Sequence, residues 1–348
     1  MASPSDVVAE PDAAASAPPM LGKTLDALLL GPGATVLVSA IFVALWASGR
    51  TAAAAALATW LSLLVLGPHY AATYRRAYGS FEVLRAHPVV TLLVPVLVVA
   101  GAAAAVASPR FAPFYFLAYV GWSGYHYSGQ SLGVAMLFPL RQKARLDARE
   151  KRLLALPLYG SWILSLLGLM RVGTDARNSA YSIVTKTFAP WDLPTWMLVA
   201  LVLPLLASFA GVALVARERR RRGVPLPALT IAVVATQVLW FVGGLFHPFF
   251  NIVLVPVFHS LQYLALTSWH FTRGERRVLP FGFYVVTVLV LGLVINPGLL
   301  AVFVPTASSP RALTTAAAVI SAINLHHFLM DGRIWRMRER RVAQAFVE

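Results

Sequence analysis

Eight histidines mark a chain of 348 residues in which only 12% of side chains are charged. Seven of them, His69, His126, His247, His259, His270, His326 and His327, fall inside or at the edge of long apolar runs, whereas His87 sits on a polar connection just before Pro88. Imidazole inside a membrane costs free energy unless it is paired, so each of the seven is a candidate functional group. Neutral imidazole is also the commonest nitrogen ligand for iron, zinc and copper. The densest chemistry is in "NLHHFLMDGRIWR", Asn324 to Arg336. Of the fourteen acidic residues, only Asp331 in that stretch lies near the histidine-bearing positions.

Helical spacing groups these residues further. Thr73 follows His69 by four in "GPHYAATY". Trp122, His126 and Gln130 form a stripe in "GWSGYHYSGQS", with Tyr125 and Tyr127 beside it. His259, Tyr263 and His270 share a face of the next cluster, and Pro256 is placed to kink that helix. Asn324, His327 and Asp331 line up in the last cluster, with His326 turned about 100° away. The expected metal ligands are therefore His69, His126, His259, His270, His326 and His327, with Asp331 and Tyr263 as candidate catalytic groups. His87 and His247 are expected outside the site. A plainer reading of the last cluster also exists: Asp331-Gly332 ends the helix as a cap, and Trp335 sits in the headgroup belt.

The elements that must carry these residues follow from composition. Hydrophobic residues make up 58% of the chain and mean hydropathy is +0.71, where a soluble protein would carry about 25% charged residues. The apolar residues come in blocks of about 20, enough to cross a ~30 Å hydrocarbon layer as helices. Ten runs qualify: 25–47, 52–74, 88–108, 111–139, 153–171, 195–216, 227–246, 248–272, 279–301 and 312–332. The expected architecture is an all-α polytopic bundle of about ten transmembrane helices over 25–332. A disordered cytoplasmic tail (1–24) precedes it and a basic interfacial segment (333–348) follows. Twenty-three basic residues fall on one side of this topology and six on the other. The positive-inside rule then places both termini in the cytoplasm, as in a bacterial inner membrane. A loop at about 172–194 would lie outside.

Several classes are excluded. The chain has no cysteine, so thiolate metal sites and disulfides are absent. The net charge of +15 is spread over short clusters between apolar blocks, as topogenic charges are, and does not form a nucleic-acid footprint. The Glu-x-x-His pattern of soluble di-iron bundles is missing.

"LHHF" with His327 and Asp331, joined by histidines on other helices, resembles the sites of membrane-bound desaturases and hydroxylases, although the HxxxH and HxxHH boxes of that family are not present. "GPHYAATY" looks like the Pro-His motif of Brp/Blh-type carotene-cleaving oxygenases, which are polytopic and bind iron through histidine; the acidic residue that follows their motif is missing here. These resemblances imply adjacent histidines that each serve a metal. The expected function is a membrane-embedded, histidine-ligated, metal-dependent oxidoreductase or oxygenase, drawing an apolar or lipid-like substrate from the bilayer and electrons from a donor. Non-haem iron, one or two ions, is the expected cofactor, with zinc or copper as alternatives. A second reading takes His126 and His259 as axial ligands of haem b in an electron-transfer protein, and a third is a proton-coupled transporter.

Overall fold

The computed structural model describes residues 19–172, 184, 194–246, 250–275, 280–295, 310–335 and 346. Among these there is helix and no strand, as 58% apolar composition in long uninterrupted blocks requires. In chain order the helices are α1 (Lys23–Leu30), α2 (Gly33–Ala47), α3 (Thr51–Tyr78), α4 (Phe81–Ala86), α5 (Val89–Ala107), α6 (Ala112–Arg141), α7 (Ala148–Val172), α8 (Thr195–Arg221), α9 (Ala228–Phe246), α10 (Phe250–Arg273), α11 (Phe281–Ile295) and α12 (Pro310–Ile334). Each of the ten apolar runs coincides with helix wherever it is described.

Ten membrane spans is a larger number than the helices support. Seven are long and apolar enough to cross, and an eighth joins them if α1 and α2 count together, bent by 54° at Gly31-Pro32. α6 fails because its middle, "GWSGYHYSGQS", is polar, and α11 fails because its described length is 15 residues. Helices of this length and apolarity mark an integral membrane protein. Their outward faces carry Val36, Leu37, Leu97, Leu203, Leu206 and Val290 in exposed positions, which fits lipid contact.

α10 is the central helix: 67% of its apolar stretch is buried, against 17% for the peripheral α8. α6, α7, α8 and α9 pack as one group, while α12 lies against α3, α5 and α6, and α11 lies along the second half of α3. Gly292 permits that last contact. A side chain there would collide with the backbone of Gly67 and Pro68.

Three helices change pitch at a proline. Turns of π-helix cover Ser62–Leu66 in α3, Val89–Leu93 in α5 and Phe250–Leu254 in α10. Each is followed two residues later by Pro68, Pro95 or Pro256. Proline lacks the N–H for an i→i−4 bond, and its ring presses on the carbonyl four residues back. That carbonyl belongs to Leu64, Thr91 or Ile252, inside the widened turn in every case. The wider turn accommodates the ring without ending the helix. The Pro256 distortion is thus a π-turn.

The chain ends are folded as far as they are described. Asp26 accepts hydrogen bonds from the N–H groups of Met20 (2.7 Å) and Leu21 (2.9 Å), and Met20 is buried. Phe346 is buried among Leu146, Trp269 and their neighbours, and its carbonyl accepts from Arg141 (3.1 Å). α12 runs on to Ile334, so Gly332 lies within the helix and does not cap it.

Candidate metal centre

α3, α6, α10 and α12 each bring one histidine to a common point. His69 follows the Pro68 junction of α3, and His259 comes one turn after the Pro256 junction of α10. His126 sits at the middle of α6, and His327 lies on α12. The His69 and His327 Nε2 atoms are 2.7 Å apart, and those of His126 and His259 are 3.2 Å apart. Asp331 brings Oδ2 to 3.5 Å from His327 Nε2 and 4.0 Å from His126 Nε2. All five side chains are buried.

The carboxylate is oriented from its other oxygen. Oδ1 lies 3.0 Å from the Thr73 hydroxyl and 3.0 Å from the Tyr263 hydroxyl, both of which can donate to it. Those two hydroxyls are 2.6 Å apart, and Tyr263 also accepts from Trp335 Nε1 at 2.9 Å. Oδ2 has no hydrogen-bond partner among the described residues, nor do the Nδ1 atoms of His69, His259 and His327. The ion-pair partners of Asp331 among the described residues are imidazoles alone. Leaving a buried carboxylate oxygen unsatisfied costs at least ~1–3 kcal/mol, so Oδ2 is where a cation is required.

The donor set fits a metal ion. His69, His259 and His327 form one group, and His126, His327 and Asp331 another, with the ligand atoms of each group within 4.8 Å of one another. At metal–nitrogen bonds of ~2.0–2.1 Å, neighbouring donors stand ~2.9–3.4 Å apart on an octahedron or tetrahedron. The separations here, 2.7 to 4.0 Å, bracket that range.

The remaining sequence candidates lie elsewhere. His326 points about one residue's rotation away on α12. Its Nε2 is 3.2 Å from the Val90 carbonyl and 3.1 Å from the Tyr78 hydroxyl, and its ring lies against Tyr74. His270 faces the Arg76 guanidinium at 3.0 Å and packs on Trp335, a cationic setting that opposes a second positive charge. His87 precedes α5 and His247 lies outside the described residues. Tyr263 touches the site by positioning Asp331, with its ring 4.4 Å from that of His69.

Other members were not singled out from the sequence. Tyr70 donates to Asn324 Oδ1 (2.7 Å), tying α3 to α12 beside His69 and His327. Arg76 lies 4.0 Å over the Trp335 ring, which turns Trp335 inward to Tyr263, away from the headgroup belt. The available signal was helical periodicity, since His69, Thr73 and Arg76 are spaced i, i+4 and i+7 on one face of α3. Trp122, by contrast, shares spacing with His126 but faces outward, 42% exposed. Gln130 reaches the site indirectly, donating to the His259 carbonyl at 2.9 Å. No family model, curated protein or solved structure matches this chain.

Proposed function

We propose that this is a membrane-embedded oxidoreductase with one histidine-bound non-haem iron, acting on an apolar substrate that reaches the site from within the bilayer. The observation that carries the reading is the orphaned Asp331 Oδ2, buried in a ring of four imidazole nitrogens with no fixed cation beside it. A dication at their centre would satisfy all five atoms at once.

One ion is favoured over two. The two groups share His327, whose Nε2 has a single lone pair and serves a single ion. They therefore merge into one set of five donors: His69, His126, His259, His327 and Asp331. Five protein ligands exceed the four of a structural zinc site. They leave one position open in a six-coordinate arrangement, the geometry of histidine–carboxylate iron enzymes. A redox-active ion held this way supplies one-electron chemistry and a position for a reactant.

The chain's own residues do the rest. Thr73 and Tyr263 hold Oδ1, so that Oδ2 stays aimed at the nitrogens; such outer partners fix ligand orientation and basicity. Phe328 stacks on His126 (4.6 Å between ring centroids) and Tyr127 packs on His259 (4.4 Å), so the cluster is walled by aromatic rings that exclude water. An apolar reactant suits such walls, and it has the shortest route from lipid.

Haem is disfavoured by geometry. Axial ligands on opposite faces of an iron stand ~4 Å apart at ~2.0 Å bonds, with a flat macrocycle between them. The His126 and His259 nitrogens are closer than that, and their rings meet edge to face at 71°. Metal analysis and a visible spectrum of the purified protein test the reading. One iron per chain without a Soret band is the expected result. A Soret band would establish haem instead, and a protein free of transition metal would end the proposal.

A further inference from the structure

On the far side of α6 from the metal centre, four aromatic residues meet at the surface. Trp122 and Tyr125 lie near the middle of α6, and Tyr159 and Trp162 near the middle of α7. Tryptophan and tyrosine normally gather where membrane meets water, because each has a polar tip on an apolar body. Here they sit at mid-span on a lipid-facing surface, with Trp122 and Tyr125 42% and 51% exposed.

Their hydrogen-bonding groups are unspent. Among the described residues the Tyr125 and Tyr159 hydroxyls have no partner, and the buried Nε1 of Trp162 has no acceptor. Lipid tails offer none, so three donors at this depth carry a free-energy cost. Tyr125 lies 6.1 Å from Trp122, 5.5 Å from Tyr159 and 6.1 Å from Trp162, measured between ring centroids, with planes inclined by 43–75°. Rings that meet by their edges leave their electron-rich faces free. Gly121, Gly129 and Gly133 flank Tyr125 on the same face of α6, and side chains at 121 and 133 would meet nothing within 4 Å. Trp162 is fixed in place because its indole lies on the Cα of Gly124.

We infer that this patch is a docking site for a membrane quinone. The ligand must be lipid-soluble to arrive at mid-span. It must be flat to lie on a glycine-flanked surface, and electron-poor to stack on tyrosine and tryptophan. It must also carry acceptor oxygens for three donors. A quinone ring meets all four conditions, and its isoprenoid chain is compatible with the surrounding lipid. The site is independent of the metal centre: one helix thickness, ~10 Å, separates the outer face of α6 from His126 on its inner face.

Quinones quench tryptophan fluorescence on contact, which makes the test direct. Full-length protein in lipid nanodiscs would be titrated with decylubiquinone. Saturable quenching is expected, largely removed by Trp162→Phe and unaffected by Trp60→Phe, which alters an exposed tryptophan on α3. The double change Tyr125→Phe/Tyr159→Phe should weaken binding about tenfold, as loss of two hydrogen bonds predicts. His327→Ala should bind quinone normally, so failure of the metal reading would leave this result intact. Quenching that rises linearly and is the same in the Phe variants would mean partitioning into lipid, and would overturn the site. Disulfide formation by Tyr125→Cys in membranes, where the native chain has no cysteine, would show a second copy covering the patch and would overturn it equally.

Discussion

Glu150 and Asp331 are both buried carboxylates in an apolar bundle, and they are neutralised in opposite ways. Glu150, at the start of α7, lies 2.8 Å from the Arg219 guanidinium of α8, with Arg222 at 3.6 Å. Arg219 also donates to the Ala144 carbonyl at 2.8 Å, so it locks the α6–α7 connection to the end of α8. A buried acid with a fixed guanidinium is electrostatically complete and works as a brace. Asp331 has four imidazoles around it and no guanidinium in contact among the described residues. The difference separates a carboxylate that closes a structure from one that holds a place for a cation.

The largest expected effect tests the second half of that contrast. His327→Ala, which removes the nitrogen shared by both donor groups, should take bound metal from one ion per chain to none by elemental analysis. His87→Ala should leave it unchanged. Full metal in His327→Ala would erase the distinction between the two acids. Arg219→Met tests the first half: breaking one side of a buried pair costs ~3–5 kcal/mol, so the unfolding temperature should drop while metal content stays at the wild-type level. Adding Glu150→Leu should restore most of the loss, because the uncompensated charge is then gone. If Arg219→Met lost metal in the folded protein, the two regions would not be separate.

Asp331→Asn is expected to be milder than His327→Ala. It keeps shape and the contacts to Thr73 and Tyr263 but removes the charge, and metal affinity should fall about 10–100-fold in a chelator competition. An unchanged affinity would demote Asp331 to a packing residue. The smallest effect concerns Asp147. It accepts from the Glu150 backbone N–H (2.8 Å), and its own N–H donates to the Glu150 carboxylate (2.9 Å), a reciprocal cap at the start of α7. The hydrogen bond from Glu150, reinforced by Arg149, holds the Asp147 carboxyl below its ordinary value. A depressed carboxyl stabilises the fold above its unfolded pKa, and that contribution fades as pH falls through the lower, folded value. Asp147→Ala should therefore cost slight stability at neutral pH and flatten the acid limb of a thermal-denaturation profile. An unaltered acid limb would mean the cap contributes nothing.

Much of this was legible in the residues. The helices follow the ten apolar runs, because blocks of that length have few other ways to satisfy their backbone. His69, His126, His259 and His327 converge from four helices that the spacing had already grouped. What spacing could not supply was direction about each helix. His326 and His327 are neighbours in sequence, yet one meets the cluster and the other a backbone carbonyl. His270 shares a face with His259 but lies far enough along α10 to meet Arg76 instead. Trp335 reads as a headgroup anchor until the Arg76 and Tyr263 contacts are known. The number of spans was overstated because α6 spends its middle on the residues that face the site and the aromatic patch.

The π-turns at Pro68 and Pro256 have a consequence for tolerance to mutation. A π-turn holds one residue more than an α-turn, so deleting any one residue from Ser62–Leu66 would let α3 close into regular helix. Everything beyond would then rotate by about 100° about the helix axis. His69, Thr73 and Arg76 would leave the cluster together, with no contact in the cluster itself having been altered. The segment Phe250–Leu254 holds His259 and Tyr263 in the same way. These two stretches behave as angular settings: substitutions within them need only preserve residue number, whereas a one-residue deletion is equivalent to losing a ligand.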